Sequence, residues 1–136
     1  MVDAVARKAD AWLSQARHDL AAAQANADDG RHALACFLCQ QSAEKAVTAF
    51  LFKSGAEQVW GHSLADLCED ALAFDQSFDL VKSIAVMLDK HFLGARYPQS
   101  LPGGVPAEAY EATDSGRALE IAGDVFAAVQ QRMDAS

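Results

Sequence analysis

The sequence predicts an all-α fold, an up-and-down antiparallel bundle of four long helices plus one short helix. Alanine, the best helix former, is abundant, whereas β-branched residues are sparse. Apolar residues recur at three- and four-residue steps, and no stretch alternates as a strand would. Most connections between neighbouring helices are short, which favours antiparallel packing. The 136 residues are the usual size of one domain, so we expect a single domain over residues 1–136.

The first two helices are predicted over residues 3–27 and 31–54. The sequence "DDG" at residues 28–30 ends the first helix in a tight turn. Gly55 ends the second helix, because glycine adopts the left-handed conformation found after a helix. The first half of the second helix is apolar nearly all round, which predicts burial on most of its sides.

The third and fourth helices are predicted over residues 63–72 and 77–93. Ser63 is a natural N-cap for the third helix, with Asp66 three positions on as an imperfect capping box. His62, just before this helix, is expected to help fix its start. Gly94 ends the fourth helix. Its apolar side is predicted to comprise Leu80, Ile84, Met87, Leu88 and His91.

An irregular segment is predicted over residues 94–113, which contain all three prolines. So long a segment within a compact domain is usually functional or mobile. The last helix is predicted over residues 114–133, with Asp114 as its cap.

The chain carries a net charge of −8, and its eleven Lys and Arg residues are dispersed. An acidic surface repels phosphate backbones, so the sequence disfavours direct nucleic-acid binding but leaves room for a local basic pocket. The N-terminus has no apolar signal segment, and the longest apolar run, residues 33–39, is far too short to cross a bilayer. With three cysteines and no disulfide framework, we expect a cytoplasmic protein.

Cys36 and Cys39 form a Cys-x-x-Cys pair, which can indicate redox chemistry or a metal site. Redox pairs occupy an exposed helix N-terminus beside a strand, whereas these cysteines fall inside an apolar helix. A zinc site needs four ligands; His32 and Cys68 could complete one, but no second pair has a familiar spacing. The sequence therefore favours core packing, with no metal and no cofactor.

Polar side chains interrupt the second half of the second helix, where Gln41, Glu44 and Lys45 lie on adjoining turns. Buried polar groups need partners, and Asp19 and Arg96 are candidates. One interpretation is a structural ion-pair network or an exposed stripe, which the residues alone favour. The other is one wall of a binding site for a ligand or a partner.

Four segments together resemble the HEPN domain family, named for higher eukaryotes and prokaryotes nucleotide-binding. They are "AWLSQARHDLAAA" (11–23), "CFLCQQSAEKAVTAFLFKSG" (36–55), "GHSLADLCEDAL" (61–72) and "ARYP" (95–98). The positions that carry the resemblance are Ala16, Asp19, Leu20, Ala23, Gln40, Gln41, Ala43, Glu44, Lys45, Ala46, His62, Leu64, Leu67, Arg96, Tyr97 and Pro98. Each segment alone is weak, but their order and spacing cover nearly the whole chain.

The resemblance implies a helical bundle that usually forms dimers and often accompanies small nucleotidyltransferases, as in toxin–antitoxin pairs. Some members are metal-independent ribonucleases with an arginine, followed a few residues later by a histidine, at the start of the last long helix. This sequence departs from that motif, because no histidine follows Arg96 or Arg117. Without an imidazole for acid–base cleavage of RNA, the sequence favours a protein that is not an enzyme.

We therefore expect a non-catalytic module that binds a nucleotide or a nucleotidyltransferase partner, and that forms a homodimer. The ligand-binding residues would be Arg96, Tyr97, Lys45, Glu44, Gln41 and Asp19. In this hypothesis Arg96 contacts phosphate or carboxylate, Tyr97 stacks on a base, Lys45 adds charge and the other three orient them. Two alternatives remain at this stage: a ribonuclease toxin whose acid–base group is His91 or His62, and a purely structural dimeric interaction module.

Overall fold

The structure, a computed structural model, describes the backbone of residues 2–61, 63–98 and 104–135, with side chains from residue 4 onwards. These residues form seven α-helices and no strand, which confirms the all-α prediction. The helices are α1 (Val2–Asp28), α2 (His32–Lys53), α3 (Leu64–Leu72), α4 (Phe78–Ala85), α5 (His91–Gly94), α6 (Pro106–Ala109) and α7 (Ala112–Asp134). A 3₁₀ turn, Val86–Leu88, separates α4 from α5. No described helix is long and apolar enough to cross a membrane.

Helix α2 is the centre of the bundle, in contact with α1, α7, α3, α5 and α6. Its predicted burial on most sides is confirmed, because its alanines and cysteines are almost wholly inaccessible to solvent. Small residues line the face of α1 that packs on it, with Ala9, Ala16 and Ala23 fully buried. These short side chains let the two backbones approach closely, and the Ser42 hydroxyl donates a hydrogen bond to the carbonyl of Ala16 at 2.7 Å.

The predicted glycine stops of α1 and α2 are confirmed as left-handed residues, with φ of 80° at Gly30 and 113° at Gly55. Gly94 is the last residue of α5 and is not left-handed. After α2, the amide of Ala56 bonds to the carbonyl of Leu51, and that of Gly55 to the carbonyl of Phe52. This paired pattern is the Schellman motif, which satisfies carbonyls that the helix leaves without partners. The same pattern ends α1 at Gly30.

Helix α3 begins as predicted, since the Ser63 hydroxyl accepts a hydrogen bond from the amide of Asp66 at 3.1 Å. The predicted contribution of His62 to this start lies outside the described residues. A second cap comes from far along the chain. The carboxylate of Asp89 accepts from the amides of Leu64 and Ala65, at 2.7 and 3.1 Å.

The prediction of one continuous fourth helix over residues 77–93 was wrong. The chain forms α4, the 3₁₀ turn and α5 instead, and Asp89, the residue that caps α3, lies in the break. The predicted apolar side was partly wrong as well. Leu80 is 74% exposed, whereas Phe78 is fully buried, so the core-facing side of α4 is rotated from the predicted one.

The last helix begins two residues before the predicted start, and Asp114 contributes to its cap without being the N-cap residue. Glu111 is the N-cap residue, and Asp114 occupies the third helical position of a capping box. The carboxylate of Asp114 accepts a hydrogen bond from the amide of Glu111 at 2.8 Å. Within the predicted irregular segment, α6 forms a single turn with Pro106 at its first position, and residues 99–103 lie outside the described part.

Candidate functional site

The polar face of α2, formed by Gln41, Glu44 and Lys45, is bonded to α1 through Lys45. The Nζ atom of Lys45 lies 2.5 Å from Oδ2 of Asp19, and Gln15 donates to the other carboxylate oxygen at 2.9 Å. The Lys45 and Asp19 side chains are 25% and 11% exposed. The structure therefore brings these two predicted site residues together, and Asp19 is the expected partner of the polar face.

Gln40, Gln41 and Glu44 form a second hydrogen-bonded group on the same helix. Gln40 is fully buried and donates to Oε2 of Glu44 at 3.0 Å, while Gln41 donates to Oε1 of Gln40 at 2.7 Å. Among the described residues, no buried side-chain nitrogen or oxygen lacks a partner. Four predicted site residues, Asp19, Gln41, Glu44 and Lys45, thus belong to well-satisfied polar contacts.

Arg96 follows α5 and is held over aromatic rings. Its guanidinium carbon lies 4.5 Å from the ring centre of Phe37, 4.6 Å from that of Phe92 and 5.0 Å from that of Tyr97. Its Nε donates to the carbonyl of Phe92 at 2.7 Å. Such contacts hold a cation by the electrostatic attraction of the ring faces. No carboxylate of the described residues forms an ion pair with Arg96.

Phe37 and Gln41 are one turn apart on α2, so Arg96 lies beside the polar face. No hydrogen bond or ion pair among the described residues joins Arg96 to Asp19, Gln41 or Lys45. Of the two candidate partners of the polar face, Asp19 bonds to it, whereas the observed contacts of Arg96 are with three aromatic rings and the carbonyl of Phe92. Arg96 and Tyr97 lie together, and the other four predicted residues form a neighbouring group.

A groove of about 540 Å³ opens beside Arg96, and we call it the Arg96 groove. Its lining brings the turn between α1 and α2 against the segment around α6. The lining residues are Gly30, Arg31, His32, Ala33, Leu34, Ala95, Arg96, Pro98, Val105, Pro106 and Ala107. Two guanidinium groups are thus combined with apolar walls, and none of the described lining residues has a carboxylate.

The start of α2 lies in this groove without a side-chain cap. Arg31 occupies the N-cap position and makes no capping hydrogen bond, and the first turn contains no acidic residue. The first amides of a helix have no partner within the helix, and the helix dipole adds partial positive charge there. Arg31 and His32 were not predicted as site residues, although both line the groove. The available signal was the absence of Ser, Thr, Asp or Asn at the predicted start of α2.

The comparisons with known proteins agree with this architecture. The sequence matches the HEPN domain over residues 9–132. This chain belongs to the HEPN domain family. No curated protein matches it with statistical significance.

Solved structures resemble this HEPN chain over nearly its whole length. TT1696 from Thermus thermophilus is 35% identical with a TM-score of 0.81, covering 91% of this chain and 97% of its own. ST0689, an archaeal HEPN homologue, is 30% identical with a TM-score of 0.75, covering 92% and 97%. An HEPN domain protein of Thermotoga maritima, TM0613, is 28% identical with a TM-score of 0.72, covering 90% and 97%.

A second cleft of this HEPN domain, about 220 Å³ in volume, lies at the start of α7, and its lining includes Arg117 and His91. His91 is only 5% exposed, and its Nδ1 lies 3.0 Å from the hydroxyl of Tyr110. Burial lowers the pKa of His91 to about 4, with a smaller contribution from the charge of Lys90. His91 is thus a buried, neutral imidazole at pH 7. The other histidine considered for catalysis, His62, lies outside the described residues.

The three cysteines of the HEPN domain are fully buried and unpaired, which confirms the core-packing interpretation. Burial raises the pKa of each thiol to about 12, so the reactive thiolate is scarce at neutral pH. His32, considered as a zinc ligand, lies 2.8 Å from the hydroxyl of Ser115 through its Nδ1. In residues 2–61, 63–98 and 104–135, no three Cys, His, Asp or Glu side chains are grouped to hold a metal ion.

Proposed function

We propose that this HEPN-domain protein is a non-catalytic module that binds a nucleotide in the Arg96 groove and acts beside a nucleotidyltransferase partner. The single observation that carries the proposal is Arg96 itself. Its guanidinium lies over three rings at the edge of the groove and has no ion pair with a carboxylate of the described residues.

The phosphate of the ligand would lie between Arg96 and the start of α2. A guanidinium matches the geometry of phosphate oxygens and can donate two hydrogen bonds at once. Arg31 and the first amides of α2 line the same groove. Because helix N-termini favour negative charge, these groups support an anionic ligand on a protein whose net charge is −8.

The base of the ligand would lie against the apolar surface around the groove. Leu34 and Val105 line the groove and are 42% and 39% exposed, and Tyr97, which contacts Arg96, is 40% exposed. A planar base offers an apolar face to such residues, and stacking on a tyrosine ring tolerates different bases.

In this proposal the other four predicted residues position the site and do not contact the ligand. Gln41 follows Phe37 by one turn, and the guanidinium of Arg96 packs on the ring of Phe37. Lys45 and Asp19 fix this face of α2 against α1. Gln41, Glu44, Lys45 and Asp19 would then keep the ring under Arg96 in place without touching the phosphate.

The proposal is tested by calorimetric titration with adenosine and guanosine nucleotides. We expect saturable binding that Arg96→Ala weakens by at least tenfold, equivalent to about 1.4 kcal/mol. Arg7→Ala is the matched control, since Arg7 is a residue of α1 outside the groove. Equal binding by wild type and Arg96→Ala would refute the assignment. RNA cleavage that depends on Arg117 would instead support the ribonuclease alternative.

We also propose that the protein forms a homodimer. Large apolar residues remain on the surface of the single chain, among them Trp60 at 79% and Leu80 at 74% exposure. Burial of such residues between subunits would remove them from water. Light scattering in the titration buffer should give twice the monomer mass of 14.5 kDa, and a monomer would exclude this proposal.

A further inference from the structure

We infer that the Arg96 groove selects a ligand with a single phosphoryl group, such as a nucleoside 5′-monophosphate, and binds it without Mg²⁺. This inference rests on the proposed nucleotide-binding function and narrows it to one class of nucleotide. The charges around the groove and the absence of acidic residues from its lining carry the inference.

The groove offers little uncompensated positive charge. Its two guanidinium groups belong to Arg31 and Arg96. The Nε of Arg31 lies 3.0 Å from Oδ2 of Asp29, and the two side chains are 67% and 66% exposed. Asp29 therefore places a negative charge beside Arg31, whereas Arg96 forms no ion pair with a carboxylate of the described residues.

This balance suits one phosphoryl group better than three. A triphosphate carries about twice the negative charge of a monophosphate at neutral pH. The additional phosphate charges of a triphosphate would have no counter-charge in the groove. They would be repelled by a protein whose net charge is −8. The uncapped start of α2 adds only partial positive charge, equivalent to about half an elementary charge.

A magnesium ion would normally relieve this repulsion, but the groove has no residues that suit it. Proteins usually bind Mg²⁺–nucleotide complexes through one or two carboxylates together with the phosphates. Among the described residues, the lining contains no Asp or Glu. The nearby carboxylate of Asp29 is already bonded to Arg31. A metal-bound triphosphate would therefore gain no protein ligand for its metal.

The size of the groove is consistent with this ligand class. Its volume of about 540 Å³ falls within the ordinary range for small-molecule pockets. Pro98, Val105 and Leu34 provide apolar walls beside the cations. A base and ribose can contact these walls while one phosphate reaches Arg96.

The experiment is a calorimetric series with AMP, ADP and ATP, each in excess EDTA and again in Mg²⁺, with inorganic phosphate as a competitor. We expect AMP to bind at least about tenfold more tightly than ATP, with the same affinity in EDTA and Mg²⁺. Arg96→Ala should abolish AMP binding, and the Arg7→Ala control should retain it. Competition by phosphate alone would show that the phosphoryl group is a recognised part of the ligand.

A second variant tests the charge argument directly. Asp29→Asn removes the partner of Arg31 without altering the groove lining. We expect this change to raise the affinity for ADP and ATP more than that for AMP, and thus to narrow the difference among them. If the differences in affinity among AMP, ADP and ATP are the same in Asp29→Asn as in the wild type, the charge argument is contradicted.

The outcomes separate this inference from the proposed function. Mg²⁺-dependent ATP binding that is lost in Arg96→Ala would overturn the inference and leave the nucleotide site intact. Equal affinities for AMP and ATP would overturn it as well. No binding of any nucleotide would refute both.

Discussion

Lys45 on α2 and Asp19 on α1 form an ion pair in the partly buried seam between the two helices. The Asp19 carboxylate accepts a further hydrogen bond from Gln15. Removal of either charge would leave the other in a poorly hydrated position. Because such uncompensated groups are costly, the pair makes the packing of α1 on α2 depend on both residues.

Lys45→Met should lower the free energy of unfolding by about 1 to 3 kcal/mol. This loss is smaller than that expected for a fully buried pair, because Lys45 is partly exposed. Asp19→Asn should act in the same direction, and the double variant should lose less than the sum of the two. Urea unfolding measures all three. Lys82→Met is the matched control, since Lys82 pairs with Glu69 on the surface and should change stability little. Additive losses would contradict coupling between Lys45 and Asp19.

His91 should make the protein less stable in mild acid. Its folded-state pKa is lowered from 6.5 to about 4 by burial, so between these values the unfolded chain takes up a proton that the folded protein does not. The free energy of unfolding should therefore fall as pH decreases from 6.5 to 4, by at most about 1.4 kcal/mol per pH unit from this group. Above pH 6.5 this contribution is constant.

The comparison of wild type with His91→Gln isolates this effect from that of the carboxylates. The variant should be less stable near pH 7, because it loses the packing of a buried ring, but its stability should fall less steeply between pH 6.5 and 4. His18→Gln, at an exposed position on α1, serves as control. Parallel pH profiles for wild type and His91→Gln would rule out His91 as the source of the slope.

Two neighbouring residues of α4 should respond very differently to truncation. Phe78 is fully buried and its ring centre lies 4.5 Å from that of Phe50, so Phe78→Ala should cost about 3 to 5 kcal/mol of stability. Leu80 is 74% exposed, and Leu80→Ala should change stability by about 0.5 kcal/mol or less. Thermal or urea unfolding of the two variants checks this contrast. A large loss for Leu80→Ala would place Leu80 in an interface, as the proposed dimer allows.

The ends of the helices were predictable where the signal is local. Gly30 and Gly55 stop α1 and α2 because each residue adopts a positive φ that other residues avoid. Ser63 starts α3 through a bond to an amide three residues away. These features depend on a few consecutive residues, and the sequence therefore specifies them directly.

The break after α4 was not predictable in this way. Residues 77–93 contain neither proline nor glycine, and their apolar residues fit a single helix. The segment instead divides around Asp89, whose carboxylate bonds to α3, more than twenty residues earlier in the chain. A contact between distant residues prevailed over local propensity.

The candidate site was also predictable only where its signal is local. The motif around Arg96 and Tyr97 was visible in the sequence, and these residues do lie together. The partners of Arg96 were not visible, because Phe37 meets it only through packing of α5 on α2. The polar face of α2 can be both a structural network and part of a site wall. Its hydrogen bonds are satisfied within the bundle, and it lies one turn from Phe37, the ring on which Arg96 packs.

The small size of α5 has a consequence for the dynamics of the domain. A four-residue helix is too short to be stable alone in water, so α5 depends on its packing against α2 and on the contact between His91 and Tyr110. Local opening of this segment disrupts far fewer contacts than global unfolding, so its amides should exchange with solvent through a lower-energy route than those of α2. Arg96 lies two residues after α5, so a ligand bound to Arg96 would stabilise the closed form of this segment.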